Sequence, residues 1–502
     1  MANDQRRTDS ADKPRSGHPR GDAPTPDSGT ASEPATRNSV DGPDPERPAT
    51  FREVFSVREY RAVFAASTLS WIGDYFARVA ITYLIFQDTR SVWLAAAAFA
   101  ISYLPWVAGG PVLAAIAERY PYRSVMVVCD LVRMCLVAVL AIPAVPLPML
   151  LGLLFLSSLM TPPAQSARSA MLPLILKGDR YVVGLSVQAT FAQAAQVTGY
   201  AVGGVFAALV SPRAALLVDS ATFALSAFLV WRWVRHRPSA MSAEHRSHLL
   251  RETAEGFRVV FGHPVMRAIA LLVFALVSVV IVPEGLAAAW SGEFGDEAWR
   301  TGLLMASIPI GYVAGALVVG RLISPRTRLK LIRPLAMVTP LALIPALLSP
   351  PFGVVVAIGV LAGFGNAVVM PLNGLFVQVL PNAYRARAFG IMQGGMQVLH
   401  ATAVLVTGAI AESVGVPVVV GAWSLAGLLL IAFAVFRWPS QELIDAEVEQ
   451  VRRLNADISD ESQVAPKAVE PDTAQPPGAL TEPAPATPSS TSSAGSGEPA
   501  RL

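Results

Sequence analysis

Ala114-Ala-Ile-Ala-Glu-Arg-Tyr-Pro-Tyr-Arg123 is a short, charged, proline-containing turn set between two long apolar runs, at about 92–116 and 124–145. Each run is long enough to cross a hydrocarbon core of ~30 Å, which asks ~20 apolar residues of a helix. A turn this tight holds consecutive spans antiparallel, and Glu118, Arg119 and Arg123 belong outside lipid, where charge is expensive. A reduced copy, Gly320-Arg-Leu-Ile-Ser-Pro-Arg-Thr-Arg328, follows a later run. Two copies of one turn imply a duplicated bundle.

Working outward from the turn, apolar runs recur at about 62–86, 92–116, 124–145, 148–171, 183–210 and 214–234. Six more follow at about 268–290, 301–323, 331–348, 352–377, 387–411 and 416–437. The reading is an all-α integral membrane protein with 12 transmembrane helices in two six-helix pseudo-repeats. Composition agrees: of 502 residues 53% are apolar and 15% charged, against about 25% charged in soluble domains. The boundaries drawn are an N-terminal tail at 1–50, a first half at 51–234, a cytoplasmic linker at 235–267, a second half at 268–438 and a C-terminal tail at 439–502. Both tails are rich in Pro, Ser and Ala or Asp and are expected to be disordered. Gln441–Asn455 is the exception, with the spacing of an amphipathic helix.

Basic residues set the orientation. They crowd the loops after runs two, four, six, eight and ten, from Arg119 and Arg123 to Arg385 and Arg387. The odd loops offer only Arg90, Arg213 and Arg300, the last beside Glu293, Asp296 and Glu297. Both termini are therefore placed in the cytoplasm, with the chain a multi-pass protein of the cell membrane. The net charge of +3 sums tails and loops and does not point to nucleic acid. Cys129 and Cys135 share one helix on different faces, so no disulfide framework is expected.

The duplication reaches individual residues. Pro163 and Pro173 bracket the end of run four as Pro371 and Pro381 bracket that of run ten. Gln193, Gln196 and Tyr200 on run five match Gln393, Gln397 and His400 on run eleven, each set a polar stripe at helical spacing.

Twelve runs in two halves with charged turns after the second and eighth resemble the major facilitator superfamily over about residues 52–438. Its signature turn, Gly-x-Leu-Ala-Asp-Arg-x-Gly-Arg-Arg, maps to Ala114, Ile116, Ala117, Glu118, Arg119, Pro121, Tyr122 and Arg123. The acid, its adjacent Arg and the final Arg are kept; both glycines and the penultimate Arg are replaced. The drug-antiporter motif Gly-Pro-x-x-Gly-Gly reads Gly199-Tyr-Ala-Val-Gly-Gly204, with Tyr200 at the proline position. Ser70-Trp-Ile-Gly-Asp74, Pro162-Pro-Ala-Gln-Ser-Ala-Arg168 and Asp219-Ser-Ala-Thr-Phe223 are similar to the branch of bacterial siderophore and macrolide exporters. The resemblance implies proton-driven antiport efflux, with antibiotic resistance among its outcomes. It also implies that Glu118 and Arg119, with Arg123, Asp130 and Arg133 nearby, form a gating turn that latches the halves; the alternative is a plain topology anchor.

Ionisable residues inside the runs are the sharper signal, because a charge at mid-bilayer costs at least ~2.5–3.5 kcal/mol. Asp74 lies about eleven residues into its run, ~16 Å at ~1.5 Å per residue, with Arg78 one turn on as its expected partner. It reads either as a proton or cation site that exchanges partners with Arg78, or as half of a permanent pair. Glu284 follows Pro283 and has no basic neighbour on its own helix, so it is expected to load a proton or to be a wetted residue at the outer mouth. Asp130 and Arg133 are expected to pair structurally, Asp219 to anchor the outer end beside Arg213, and Arg168 to snorkel. His400 is a proton relay or a hydrogen-bonding cavity residue. Gly199, Gly203 and Gly204 with the pairs 311/315, 359/363 and 390/394 form flat strips for close helix packing.

The expectation is a proton-coupled exporter, a monomer that takes a bulky amphipathic small molecule, neutral or cationic, into a cavity lined by Trp71, Gln193, Gln196, Tyr200, Gln393, Gln397 and His400. Uptake or facilitated diffusion of a small metabolite is the alternative within transport; a non-transporting sensor or platform is the alternative outside it. No Walker-type glycine loop, Cys/His cluster or Ser/His/Asp order is present, so no ATP, metal, cofactor or enzymatic chemistry is expected.

Overall fold

In the computed structural model, which describes residues 49–106, 119–237, 249–381 and 384–464, every regular element is helical. The first set comprises α1 (Phe51–Ser56), α2 (Arg58–Thr89), α3 (Val92–Ile101), α4 (Tyr122–Leu140), α5 (Leu147–Leu159), α6 (Thr161–Ile175), α7 (Asp179–Leu209) and α8 (Pro212–Trp233). Then come α9 (Leu249–Gly262) and a second set: α10 (Pro264–Gly285), α11 (Ala287–Gly292), α12 (Ala298–Leu317), α13 (Pro325–Leu343), α14 (Phe352–Asn366), α15 (Val369–Gln378), α16 (Arg385–Val414) and α17 (Val416–Phe436). The chain ends on α18 (Gln441–Val464), longer than the 441–455 read from the sequence. Ala114–Glu118, the first half of the signature turn, falls outside the described residues; Arg119 is exposed at their edge.

Local chemistry sets the boundaries. Ser91 caps α3 by accepting from the Leu94 N–H, and Ser211 caps α8 ahead of Pro212, whose missing N–H is harmless in a first turn. Arg90, in the left-handed region at φ 56°, stops α2. Among the described residues four apolar runs are broken helices, one of them the run at 92–116, which turns at Ser102 and Tyr103. The run at 148–171 breaks at Met160 before Pro162 and Pro163, that at 268–290 at Leu286 after Pro283, and that at 352–377 at Ala367 and Val368 ahead of Pro371. Proline removes a helical donor and crowds the preceding turn, which explains the breaks at Met160 and at Ala367 and Val368, each in the turn before its proline; the break at Leu286 lies after Pro283.

Among the described residues eight helical stretches, some of them two helices in line, are long and apolar enough to cross a membrane: 147–175, 212–233, 264–285, 298–322, 327–348, 352–378, 387–414 and 416–436. Large apolar side chains stand on their outer faces, Phe436 at 85% exposure among them. Patches of this kind suit lipid rather than water, and the chain is a multi-pass membrane protein. The runs at 62–86, 124–145 and 183–210 are helical too, within α2, α4 and α7, but buried charges and amides dilute their hydropathy; the run at 92–116 is described only to residue 106.

Within the first set α2 packs on α7 and α8, and α4 on α8. Within the second, α12 packs on α14, α14 on α13, and α10 against α16 and α17. Two seams join the sets, α7 against α12 and α3 against α16.

Candidate functional site

A cavity of about 690 Å³ lies between the two sets of helices, within the range of small-molecule sites. Its wall includes two of the helix breaks, with Ser157, Ser158 and Thr161 at one and Asn366 and Val369 at the other. Broken backbone at membrane depth is tolerated where it lines a cavity. Trp71, Asp74 and Arg78 of α2, Gln193 and Gln196 of α7, Glu284 of α10, and Gln393, Gln397 and His400 of α16 all face this space. Tyr200 is fully buried beneath the wall instead of lining it.

The first buried charge cluster lies inside the first set. Asp74 accepts from Arg133 Nη2 of α4, not from Arg78 in its own helix. Asp130, the sequence-expected partner of Arg133, accepts instead from Ser226 Oγ of α8 at 2.7 Å. Arg133 also stacks on the Phe223 ring at 4.1 Å. Arg168 does not snorkel: it is buried, stacks on Trp71 at 5.3 Å and donates to Gln165 Oε1 at 3.5 Å. Nor does Asp219 meet Arg213, which donates to the Ile142 carbonyl at 2.9 Å; it lies two turns further along α8 and faces the cavity. The pairings differ from those expected because helical spacing fixes neighbours along one helix, whereas α2, α4 and α8 meet along their lengths and place Arg133 between carboxylates of two other helices.

The second cluster crosses between the sets. Arg78 Nη1 donates to Tyr103 Oη at 3.2 Å and to Tyr200 Oη at 3.4 Å. Its guanidinium lies 5.3–5.4 Å from the ring centroids of Tyr75, Phe99 and Tyr103, an aromatic cage that suits a buried cation. Tyr200 in turn donates its hydroxyl hydrogen to Glu284 Oε1. Glu284 is only 5% exposed and therefore not a wetted mouth residue. The chain Arg78–Tyr200–Glu284 joins α2 and α7 to α10. Beside it the His400 ring packs on Tyr103 at 4.9 Å, with Nδ1 3.2 Å from Gln397 Oε1.

Beyond that chain, the end carrying the loops after α2 and α11 is clasped shut. Arg90 donates twice to Asp296, Nη1 to Oδ1 and Nη2 to Oδ2, both at 2.7 Å, and Tyr83 Oη donates to the Asp296 carbonyl at 2.8 Å. Glu412 of α16 accepts from the Trp93 N–H at 2.8 Å and the Ser91 hydroxyl at 3.3 Å, closing the start of α3. The seams below are lined by small residues: a Cβ on Gly204 would stand 2.6 Å from Gly302 Cα, so only glycine lets α7 and α12 meet there. Gly199 and Gly203 lie on α2 in the same way, and Gly311, Gly315 and Gly363 press on backbone of α14 or α12. Gly390 and Gly394 have open space where a Cβ would go, so that strip packs nothing.

Sequence reasoning overlooked Tyr103, Tyr75 and the Arg90–Asp296–Glu412 clasp. The one available signal was the scarcity of basic residues in the odd loops, where Arg90 stood almost alone opposite an acidic loop. Among the described residues no group of three His, Cys, Asp or Glu could hold a metal ion.

Comparison with known proteins agrees with this geometry. Solved structures with the same fold include the nucleoside transporter NupG, 13% identical, covering 76% of this chain and 100% of that one at a TM-score of 0.60. A second is a POT family transporter in complex with a thioalcohol conjugated peptide, 12% identical, covering 75% and 95% at a TM-score of 0.60. In sequence, the chain is 25% identical over 155 residues to macrolide efflux protein A of Streptococcus pyogenes, a match that spans 30% of this chain and 37% of that protein. The family model for the Major Facilitator Superfamily matches residues 63–380. The chain belongs to the Major Facilitator Superfamily of membrane transporters.

Proposed function

We propose that this transporter is a proton-coupled exporter of bulky amphipathic small molecules, built as twelve spans in two six-helix halves, 51–234 and 268–438, that rock about the cavity. Cytoplasmic termini follow from the basic even loops. The clasp is then on the outer side, and the described state is closed to the outside. Its weak likeness to macrolide efflux protein A supports export, and the room of the cavity with its aromatic and amide wall suits a large, mostly apolar solute.

The observation that carries the reading is the hydrogen bond from Tyr200 to Glu284 across the seam. Opening outward separates α10 from α2 and α7, so Glu284 loses both Tyr200 and the Arg78 charge behind it. A bare carboxylate in that apolar setting takes up a proton from outside, and re-forming the chain on closure releases it on the inner face. Protonation and opening are thereby linked in one equilibrium. Asp74 stays tied to Arg133 inside one half and is not broken by the motion.

Transport of a radiolabelled macrolide into inverted vesicles under an imposed inward-acid gradient tests this. Accumulation that collapses with a protonophore and is absent from Glu284→Gln vesicles of equal protein content is expected. Gradient-driven accumulation that persists undiminished in Glu284→Gln would contradict it, and accumulation only in the opposite orientation would make the protein an importer.

A further inference from the structure

Among the described residues the one buried carboxylate outside the apolar runs is Glu447 of α18. Ile444 and Val451 are buried on the same helical stripe and Val448 packs beside them, so Glu447 sits within the face by which α18 docks, not on its solvent side. That face lies on α15. At its edge is His263, the residue between α9 and α10, whose Nδ1 lies 3.1 Å from Glu447 Oε2. Both atoms are shielded from water, and neither has a hydrogen-bond partner elsewhere among the described residues. The His263 side chain as a whole is 38% exposed, so protons reach it from the aqueous side.

The other charges of the surrounding elements are occupied or point away. On α18, Glu442 and Asp445 are exposed and Glu449 pairs with Arg452 and Arg453. On α9, Glu255 pairs with Arg387 of α16 and Arg258 is exposed, as is Arg267 of α10. α15 carries no ionisable residue. His263 is the charge that acts on Glu447: burial pushes the carboxyl above its usual range and His263 draws it back. While the pair holds one proton, an imidazolium faces a carboxylate and docking buries no net charge. Once that proton leaves, a buried carboxylate faces a neutral ring, and docking is weakened by the unpaired charge. Both partners give the same sign. The charge gained by His263 stabilises docking at low pH and is lost as pH rises, and a carboxyl raised by burial is docked most readily in acid. Imidazole is the side chain whose ordinary range puts this change between about pH 5 and about pH 8.

We propose that α18 is a pH-set strap, which ties α15 to the start of α10 in acid and releases them as pH rises on its side of the membrane. α15 follows the helix break beside the cavity, where Val369 lines the wall, and α10 carries Glu284. A strap across both slows their relative motion. Its use rests on the export reading: each cycle brings a proton to the cytoplasmic side, and a strap that tightens in acid slows the cycle before that side acidifies further.

Amide hydrogen exchange of the full chain in lipid nanodiscs, expressed as protection relative to free peptide, tests the strap without transport. A helix held mainly by packing loses protection when released. Wild-type α18 should lose about tenfold in protection between about pH 6 and about pH 8, as loss of one charge-assisted bond implies, and α15 should lose protection with it. Glu447→Gln should keep α18 protected at both values, because an amide there has no charge to bury. His263→Ala should move the loss of protection to lower pH, where only the carboxyl titrates. Wild-type α18 protection that does not change with pH overturns the proposal, as does a Glu447→Gln protein that keeps the full pH dependence, or an α15 that ignores the release of α18. In inverted vesicles at a fixed pH difference, raising the outer pH should speed macrolide accumulation in the wild type and not in Glu447→Gln; equal wild-type rates would contradict the braking role. Absence of gradient-driven transport in either protein would sink the export reading, while hydrogen exchange would still decide on the strap.

Discussion

The Arg133 cluster and the Arg78–Tyr200–Glu284 chain are both buried arrangements of opposite charges, yet one lies within a single set of helices and the other spans two. Each has to offset the desolvation of its ions. The first does so with contacts among α2, α4 and α8 that no relative motion of the sets disturbs. The second depends on α10 staying against α7 and α2. On the proposed rocking reading, the difference separates two uses of buried charge: the first would hold one set of helices together, and the second would report whether the two sets are joined at the seam.

The comparison breaks first at Arg133. Arg133→Met leaves Asp74 without its ion pair, and loss of one partner from a buried pair costs about 3–5 kcal/mol. The melting temperature in detergent should fall more than for any other variant here, with partial recovery in Arg133→Met/Asp74→Asn. Glu284→Gln and Tyr200→Phe should hardly move that temperature while removing gradient-driven transport. If Glu284→Gln melts as low as Arg133→Met, the seam chain is a structural brace like the other cluster.

A smaller effect is expected where glycines let the seams close. Gly204→Val inserts a side chain where α7 and α12 backbones touch, and should hold the clasped end ajar. Cysteine labelling at the odd-loop end would then be faster than in the wild type; unchanged labelling would mean the seam yields elsewhere. Smallest of all is the clasp itself. Arg90 and Asp296 are 58% and 46% exposed, so solvent screens their attraction. Arg90→Ala and Asp296→Ala should each raise the labelling rate only slightly, and equally, with no further change in the double variant. The Arg90 hydrogen bonds hold Asp296 below the usual carboxylate range. The clasp is therefore fully charged above the ordinary carboxylate value and is lost only as pH falls through the lowered one. Salt should weaken this ion pair near neutrality, whereas mild acid should not discharge it; any opening in mild acid then comes from Glu284 and not from the clasp's own charges.

The charged turn at 114–123, its copy at 320–328 and the apolar runs between them were enough to read a helical membrane protein of this family from the sequence. The cavity residues Trp71, Gln193, Gln196, Gln393, Gln397 and His400 were legible because polar stripes on apolar helices have to face an interior. The partnerships were not. Asp74 and Arg78 sit one turn apart, which fixes their spacing along α2 but not the neighbour each meets on α4, α3 or α7. Asp219 read as an outer anchor because only its own helix was in view. The clasp joins residues 206 positions apart in loops without periodicity, so no local pattern carries it.

The most direct measurement is the distance across the clasped end as a function of pH. Spin labels at Leu209 and Leu348, both strongly exposed and one on each set of helices, would report it once Cys129 and Cys135 are replaced. Acid should shift the wild-type distribution toward longer distances as Glu284 takes up its proton, and Glu284→Gln should show the long distance at every pH. A Glu284→Gln protein that responds to pH as the wild type does would contradict a coupling role for the seam carboxylate.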